Sequence, residues 1–290
     1  MQKKTGFIGL GNMGFGMASN LQKEYGPIAV WNRSQGKIDE MCKQGAIDGQ
    51  SAKQMASKCD VIILSLPAPK DVRSVVGDKI IPNGKKGLWI IDTSTVDPQT
   101  SREMHEMALE KGIEYLDCPV SGGKDGADAG TLTFMVGDTK EHAQPIEPYL
   151  NVMGKTIHYM GNSGGGSAIK VINNFMSFSA AVINAEAINM AEHMDIPLEK
   201  FYEVILSSSG GNNNLKGKMK KVLANDLEAS FTVNLVLKDL ELAADLCRSA
   251  GIPNFSASNA IQWFRLAQKH RYADKDASSL VYIFRELTND

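Results

Sequence analysis

The sequence predicts an α/β protein, in which a doubly wound parallel sheet is followed by an all-helical domain. Two observations predict this fold class. Up to Gly161, short apolar runs alternate with amphipathic segments of helix length, and after that residue strand-like runs cease. Runs such as VIILSLP are apolar at every position, which is typical of strands that helices cover on both faces of a sheet.

The predicted strands and helices alternate along the first half of the chain. Strands are expected in the segments GFIGLG, IAVWN, VIILSLP, LWIIDTST and IEYLDCPV. The segments TLTFMVG and KTIHYMG are expected to extend the edge of the same sheet. Helices are expected in NMGFGMASNLQKEY, QGKIDEMCKQG and QTSREMHEMALEKG, and later in residues 167–193, LEKFYEVILSSS, LKGKMKKVLAND, LVLKDLELAADLCRSAG and two further segments. Because strand–helix–strand repetition joins parallel strands, the first half predicts a parallel sheet.

Length and composition limit the possible classes of function. At ~150 residues per domain, a chain of 290 residues is expected to form two domains. A net charge of -2 disfavours binding to nucleic acid or to an anionic membrane. The first residues, MQKKTGFIGLGNMG, are a poor signal peptide, and no run reaches the ~18 apolar residues of a transmembrane helix. The four cysteines form no C-x-x-C pair, so no metal site is predicted and a cytoplasmic location is expected.

The strongest motif is Gly9-Leu10-Gly11-Asn12-Met13-Gly14, a G-x-G-x-x-G sequence between the first predicted strand and a helix. In this setting the first glycine allows a tight turn, the second lets backbone approach a pyrophosphate, and the third allows close packing of helix on strand. The free N–H groups at the start of the helix favour an anion. The motif therefore predicts a Rossmann-type dinucleotide-binding domain, which we place at residues 1–162.

The end of the second predicted strand determines the expected cofactor. NAD-selective sites have an acidic residue there for the ribose 2′-hydroxyl, but this chain has Asn32-Arg33-Ser34. A carboxylate would repel a 2′-phosphate, whereas an amide, an arginine fork and a hydroxyl attract one. NADP(H) is therefore the expected cofactor, with NAD(H) as the alternative. The strand-end loops Leu66-Pro67 and Ser94-Thr95 are expected to contact the same dinucleotide, with Thr95 near the nicotinamide and the substrate.

A second glycine-containing loop, Ser121-Gly122-Gly123, follows the predicted strand IEYLDCPV. Two glycines expose successive N–H groups, which can form a concavity that binds a small anion such as a carboxylate. The same residues also suit a hairpin-like turn, and this segment alone does not decide between the two interpretations.

Lys170 stands at the head of residues 171–185, a segment without charged residues. Asn174 and Ser177 lie four and seven residues later, so the three side chains share one face of the predicted helix. A buried ammonium is unfavourable in a structural residue but useful in an acid or base. A lysine at a helix start can also extend its ammonium to solvent. Beside Gly164-Gly165-Gly166, which allow close approach of backbone or ligand, Lys170 is the predicted catalytic residue.

Four segments together resemble the beta-hydroxyacid dehydrogenase family: GFIGLGNMGFGMASNL, DCPVSGGKDGADAGTL, GNSGGGSAIKVINN and KDLELAAD. This family includes 3-hydroxyisobutyrate dehydrogenases, tartronate semialdehyde reductases and glyoxylate/succinic semialdehyde reductases. The resemblance implies a Rossmann domain and a helical domain joined by a long helix. It also implies that Lys170 is catalytic, that Asn174 orients the substrate and that Ser121 to Gly123 bind its carboxylate. In the same pattern Lys238 contacts the cofactor, and Phe231, just upstream, is a weaker candidate for a wall of that site.

Within the family, WNRS resembles the NADPH-using glyoxylate reductases. INNFMS resembles sulfolactaldehyde reductases, which carry an arginine where this chain has Gly122-Gly123. The sequence therefore predicts an oxidoreductase that interconverts a short hydroxy acid and its semialdehyde, with Lys170 as general acid or base. The alternatives are a sulfolactaldehyde reductase, an imine reductase and a non-catalytic dinucleotide-binding scaffold. Residues 163–290 are expected to bind substrate and to form a homodimer or homotetramer through the uncharged segment.

Overall fold

A computed structural model describes residues 3–288 of the chain. The chain divides into two compact units, Met1–Lys170 and Val171–Asp290, and the division falls inside one long helix. The strands of the first unit are β1 (Thr5–Ile8), β2 (Ala29–Trp31), β3 (Ile47–Asp48), β4 (Val61–Leu64), β5 (Trp89–Asp92), β6 (Glu114–Asp117), β7 (Val120–Ser121), β8 (Leu132–Val136) and β9 (Gly154–Tyr159). The α-helices that lie entirely within this unit are α1 (Gly14–Tyr25), α2 (Gln35–Lys43), α3 (Ala52–Lys58), α4 (Pro69–Val72), α5 (Pro98–Leu109), α6 (Gly123–Ala129), α7 (Lys140–Ala143) and α8 (Glu147–Met153).

Six parallel strands form the main sheet of the first unit, in the order β3-β2-β1-β4-β5-β6. The register places Gly6 of β1 opposite Ala29 on one side and opposite Ile62 on the other. The chain builds outward from β1 to β3 and then returns to place β4 beside β1, so that the strand order reverses there. The predicted doubly wound topology is confirmed, and the loops after β1 and β4 flank the crevice in which such sheets bind ligands.

The central strands β1 and β4 are buried at every position, and their successive side chains point to opposite faces of the sheet. Phe7 packs into one apolar cluster with Met17 and Leu21 of α1. Its neighbour Ile8 packs into a second cluster, which contains Met55 of α3. Helices therefore cover both faces, which explains why the central strands are apolar at every position.

The segments TLTFMVG and KTIHYMG do not extend the main sheet, and this prediction was wrong. They form β8 and β9 of a separate three-stranded sheet, in the order β7-β8-β9. The reason lies at Pro119, which follows β6 and has no N–H to continue a ladder of hydrogen bonds. Beyond the proline, β8 pairs antiparallel with β7, with Val120 opposite Phe134. The Met135 N–H donates to the Pro119 carbonyl oxygen at 3.0 Å, so the chain passes from one sheet to the other at this residue.

Several short elements were not predicted from the sequence, namely β3, α3, α4, α6, α7 and α8. Each spans between two and seven residues. Elements of this length offer too few positions for a helical or strand period to be recognised. In addition, α4 is continued by a π-helical segment, Arg73–Ile80, whose hydrogen-bond spacing differs from that of an α-helix.

The second unit is built from helices. They are α9 (Gly165–His193), which begins in the first unit, α10 (Leu198–Leu206), α11 (Asn213–Leu223), α12 (Val233–Ser249), α13 (Phe255–Ala267) and α14 (Leu280–Thr288). Phe178 and Val182 of α9 are buried in the core that these helices share. Met176, Ile183 and Met190 of α9 are exposed. Among the described residues, no helix has both the length and the apolar character needed to cross a membrane.

Candidate active site

The glycines of the G-x-G-x-x-G loop differ in what surrounds them. Gly9 has φ +94°, and a Cβ there would lie 2.2 Å from the Ser65 carbonyl oxygen. A Cβ at Gly14 would lie 1.9 Å from the Gly9 carbonyl oxygen, so helix α1 packs directly on the turn. At Gly11, in contrast, no atom lies within 4 Å of a Cβ position. Open space beside the second glycine, at the start of a helix without acidic residues in its first turn, fits the pyrophosphate of a dinucleotide.

Asn32 holds this loop in place. Its side-chain oxygen accepts a hydrogen bond from the Leu10 N–H at 3.0 Å, and its amide donates to the Ser34 hydroxyl at 2.8 Å. The Arg33 side chain is 76% exposed, and its Nη1 lies 3.3 Å from Oδ1 of Asp71. Of the three residues predicted to contact a 2′-phosphate, only Arg33 is charged. The side-chain amide of Asn32 instead links the glycine loop, at Leu10, to the end of β2.

The remaining predicted cofactor loops lie after β4 and β5, the next strands along the same edge. The Leu66 N–H donates to the Ser94 hydroxyl at 2.8 Å, which ties the Leu66-Pro67 loop to the Ser94-Thr95 loop. Thr95 is half-buried. The structure thus brings Gly9 to Gly14, Asn32 to Ser34, Leu66-Pro67 and Thr95 to the carboxyl ends of four neighbouring strands.

A buried carboxylate supports the loop after β5. Asp92 accepts hydrogen bonds from the Tyr115 hydroxyl at 2.7 Å and from the Ser94 N–H at 2.8 Å. Burial disfavours the charged carboxylate and raises the pKa of Asp92 to about 6, against the opposing effect of these hydrogen bonds. The same burial raises the pKa of the Tyr115 hydroxyl.

The Ser121-Gly122-Gly123 loop leads into a helix, and the hairpin-like alternative is not what the structure shows. Ser121 ends β7, and α6 begins at Gly123. Gly122 and Gly123 have φ of +136° and +65°, which only glycine adopts readily. Helix α6 packs against α1, where a Cβ at Gly16 would lie 2.4 Å from an Asp128 carboxylate oxygen. Two glycine N–H groups at the start of a helix are compatible with the predicted carboxylate contact.

The first turn of α9, which precedes Lys170, is attached to the end of β6. The Asp117 carboxylate accepts hydrogen bonds from the Gly164 N–H at 2.9 Å and the Ser167 N–H at 2.8 Å. The Ser167 hydroxyl also lies 2.8 Å from that of Ser101 on α5. Lys170, three residues further along, is only 8% exposed. Burial raises the pKa of Asp117, although the two backbone hydrogen bonds oppose this effect.

In the second unit, Asn174 and Lys238 meet at one carboxylate. The Asn174 amide donates to Oδ2 of Asp239 at 2.6 Å, and the Lys238 ammonium lies 2.8 Å from Oδ1 of the same residue. Asp239 is fully buried and Asn174 is 5% exposed. Because one N–H of the Asn174 amide donates to Asp239, this hydrogen bond fixes the orientation of the Asn174 side chain and the positions of its amide oxygen and nitrogen.

Ser177 and Phe231 have other neighbours. The Ser177 hydroxyl accepts a long hydrogen bond from the Asn214 amide at 3.4 Å. Phe231 stacks on Phe178, with ring centroids 5.4 Å apart. The loop before Phe231 is held by Asp276, which accepts from the Ser230 hydroxyl at 2.7 Å. Phe231 is thus partly a core residue of the second unit.

Among the described residues, four buried aspartates were not assigned a role from the sequence, namely Asp92, Asp117, Asp239 and Asp276. A signal was present for the first two, because each ends an apolar strand, in LWIID and EYLD, where a buried carboxylate must find donors. Asp239 offers no such signal, since its partner Asn174 lies 65 residues away in sequence. Among residues 3–288, no three His, Cys, Asp or Glu side chains are grouped so that they could hold a metal ion.

Two family models match almost the whole chain. The NAD binding domain of 6-phosphogluconate dehydrogenase matches residues 4–161, and the NAD-binding domain of NADP-dependent 3-hydroxyisobutyrate dehydrogenase matches residues 164–284. The 2-(hydroxymethyl)glutarate dehydrogenase of Eubacterium barkeri is 34% identical over 288 residues, which cover 98% of this chain and 96% of that protein. The chain belongs to the beta-hydroxyacid dehydrogenase family.

Further members of the beta-hydroxyacid dehydrogenase family agree with this assignment. The NAD-dependent L-serine dehydrogenase of Pseudomonas aeruginosa is 34% identical over 291 residues, covering 97% of this chain and 98% of that one. The solved structure of Mycobacterium tuberculosis 3-hydroxyisobutyrate dehydrogenase with L-serine has a TM-score of 0.89 and 29% identity, and covers 98% of this chain and 100% of its own. The family resemblance and the fold class are confirmed, and this beta-hydroxyacid dehydrogenase is an NAD(P)-dependent oxidoreductase.

Proposed function

We propose that this beta-hydroxyacid dehydrogenase uses NADPH to reduce a short semialdehyde acid, such as glyoxylate or succinic semialdehyde, or oxidises the corresponding hydroxy acid. The observation that carries the proposal is Lys170, which is only 8% exposed and lies on the same helix face as Asn174. A lysine and an oriented amide one turn apart are suited to one reacting carbonyl oxygen.

Lys170 is assigned as the general acid. When bound, NADPH supplies the hydride. Negative charge then develops on the substrate oxygen, and the Lys170 ammonium would stabilise that charge and donate its proton. In the oxidative direction, the neutral amine of Lys170 would take the alcohol proton.

Other residues are assigned to binding. Asn174 would hold the reacting oxygen through the second N–H of its amide, in the orientation that Asp239 gives this group, and Ser177 continues the same helix face. The Ser121 hydroxyl and the N–H groups of Gly122 and Gly123 would hold the substrate carboxylate, because glycine N–H groups at a helix start favour an anion.

The preference for NADP(H) rests on the end of β2. The residues there, Asn32, Arg33 and Ser34, include no acid to repel a 2′-phosphate, and Arg33 presents an exposed guanidinium. Asp71 beside Arg33 partly neutralises that charge, which is consistent with NAD(H) as a second cofactor. We assign Leu66, Pro67, Thr95, Phe231 and Lys238 to the rest of the cofactor site, together with the loop Gly9 to Gly14.

Lys170→Ala tests the assignment. The rate constant kcat should fall by ~10²- to 10⁴-fold, the usual contribution of a general acid, while NADPH affinity measured by fluorescence titration stays unchanged. Small primary amines added to the variant should restore part of the activity. Lys155→Ala removes an exposed lysine of the same unit and is the matched control. Wild-type turnover in Lys170→Ala would rule out the proposed role.

A substrate panel separates the alternatives. Glyoxylate, succinic semialdehyde, tartronate semialdehyde and methylmalonate semialdehyde are compared with sulfolactaldehyde and with a cyclic imine, each with NADPH and with NADH. Turnover of a carboxylic semialdehyde supports the proposal. Activity confined to sulfolactaldehyde or to the imine would identify a reductase of that kind, and NADPH binding without turnover of any compound would indicate a non-catalytic scaffold.

We further assign cofactor binding to residues 1–162, and substrate binding and self-association to residues 163–290. Met176, Ile183 and Met190 are 65–68% exposed and repeat every seven residues along α9, a spacing that suits pairing with a second copy as a homodimer or homotetramer. Analytical ultracentrifugation of Ile183→Lys tests this, and an unchanged oligomer would contradict it. The four cysteines are free, which supports a reducing compartment such as the cytoplasm.

A further inference from the structure

The start of α9 is held by a side chain from a distant part of the sequence. The Asp117 carboxylate, at the end of β6, is 1% exposed and accepts the N–H groups of Gly164 and Ser167 with its two oxygens, at 2.9 and 2.8 Å. The N–H groups in the first turn of a helix have no carbonyl partner within the helix, and a negative charge is favourable there. Asp117 therefore acts as the cap of α9, although 50 residues separate it from Ser167.

Glycines let three backbone segments meet at this carboxylate. A Cβ at Gly137, just after β8, would lie 2.1 Å from Oδ1 of Asp117. A Cβ at Gly166 would lie 2.1 Å from the Met135 carbonyl oxygen and 2.9 Å from the Asp117 carbonyl oxygen. Gly164 has φ +80°, which turns its N–H toward Asp117. The glycines before Lys170 thus admit neighbouring backbone, and the start of α9 has little freedom to shift against β6 and β8.

Asp117 connects the two segments to which we assign substrate contacts. Lys170 lies three residues after Ser167, about one helical turn along α9. Ser121 lies four residues after Asp117, and only Cys118, Pro119 and Val120 intervene. The same carboxylate therefore holds the helix that carries the proposed acid and ends the strand that leads to the proposed carboxylate loop.

We propose that Asp117 is a positioning residue, whose carboxylate sets the place of Lys170 relative to the Ser121–Gly123 loop by anchoring the first turn of α9. This inference rests on the proposed function of Lys170 and of the loop. Asp117 does not itself contact the substrate. A displacement of reacting groups by about 1 Å can lower a rate by ~10²-fold, so a small shift of this turn has a measurable kinetic effect.

Asp117→Asn is the decisive variant. It preserves the size of the side chain and one accepting oxygen, but turns an NH₂ group toward an N–H donor. We expect kcat to fall by about 10- to 100-fold, with a smaller change in KM for the semialdehyde and unchanged NADPH affinity by fluorescence titration. If Asp117→Asn does not accumulate in folded form, Asp117→Ser takes its place, because its smaller side chain fits the same space and removes the carboxylate from both N–H donors. It should lower kcat in the same way.

A stability-matched control separates positioning from general destabilisation. Leu150 of α8 is fully buried in the same unit and has no assigned role in the site, so Leu150→Ala lowers the melting temperature without touching α9. Assayed well below both melting temperatures, Leu150→Ala should retain wild-type kcat and Asp117→Asn should not. Equal kcat in the two variants would overturn the positioning role.

The failure of this inference and that of the proposed function are distinguishable. A large loss of activity in Lys170→Ala together with wild-type kcat in Asp117→Asn would reject only the role of Asp117. Wild-type activity in Lys170→Ala would reject the proposed acid itself. Loss of NADPH affinity in Asp117→Asn would show that the variant disturbs the cofactor loops, and would also overturn the inference.

Discussion

Asp92 should make the stability of the first unit fall as the pH rises from about 4 to 7. Its carboxyl group lies at the end of β5, 1% exposed, between the Tyr115 hydroxyl and the Ser94 N–H. Burial raises its pKa to about 6. A group with a raised pKa binds its proton more tightly in the folded state than in the unfolded state. The stabilisation is therefore complete below the unfolded pKa and is lost as the pH passes through the folded pKa.

The magnitude follows from the difference between the two pKa values. The pKa is 3.8 in the unfolded reference and about 6 in the folded protein. At about 1.4 kcal/mol per pKa unit, the full effect of this carboxyl on the free energy of unfolding is about 3 kcal/mol. The part lost between pH 4 and pH 7 is about 2 kcal/mol, because the unfolded carboxyl is already more than half ionised at pH 4. Asp92→Asn has no such proton to lose, while its amide can still accept from Ser94.

The assay compares the two proteins in urea at several pH values. In a Trp263→Phe background, the fluorescence of Trp31 and Trp89 reports the first unit, since both lie in its main sheet. Subtracting the Asp92→Asn curve from the wild-type curve cancels the titration of other groups. The difference should change by about 2 kcal/mol across this range, with the wild type losing stability as the pH rises. A difference curve that stays level from pH 4 to pH 7 would refute the reasoning, as would one that rises.

Further expected outcomes concern the cofactor loops and the helical unit. Arg33→Ala should lower the preference for NADPH over NADH in kcat/KM by about tenfold, as expected for one charge-assisted contact, and Asp71→Asn should increase that preference. Gly11→Ala should keep the wild-type melting temperature, because the added Cβ would meet no neighbouring atom of the protein within 4 Å. It should weaken NADPH binding, because the Cβ would enter the space that we assign to the pyrophosphate. Gly14→Ala should lower the melting temperature, because its Cβ would lie 1.9 Å from a carbonyl oxygen of the same loop. The Lys218 ammonium, which is partly buried, lies 2.9 Å from Oδ1 of Asp276. Asp276→Asn leaves this ammonium without its carboxylate and should reduce the free energy of unfolding of the helical unit by about 3 kcal/mol in urea titrations.

The elements that the sequence predicted well share a local pattern. The central strands were recognised because helices cover both faces and every residue is apolar. The long helix was expected at 167–193 and begins at Gly165. The phosphate loop was recognised because each of its three glycines is required by its immediate surroundings. Gly9 has a positive φ, Gly11 lies beside open space and Gly14 packs closely on the turn. The roles assigned to individual site residues stay predictions until the variants are measured.

By itself, the sequence determined the doubly wound fold, the position of the dinucleotide loop and the family, because each can be recognised from short motifs and periodic segments that are local along the chain. Only the tertiary structure decided where β8 and β9 pair, since the exit of the chain from the main sheet at Pro119 depends on what lies beside it. The same holds for the buried carboxylates. Asp117 reaches Ser167 across 50 residues and Asp239 reaches Asn174 across 65. A buried carboxylate forms hydrogen bonds with the donors that the fold places beside it, and the periodicity of the sequence does not indicate which donors those are.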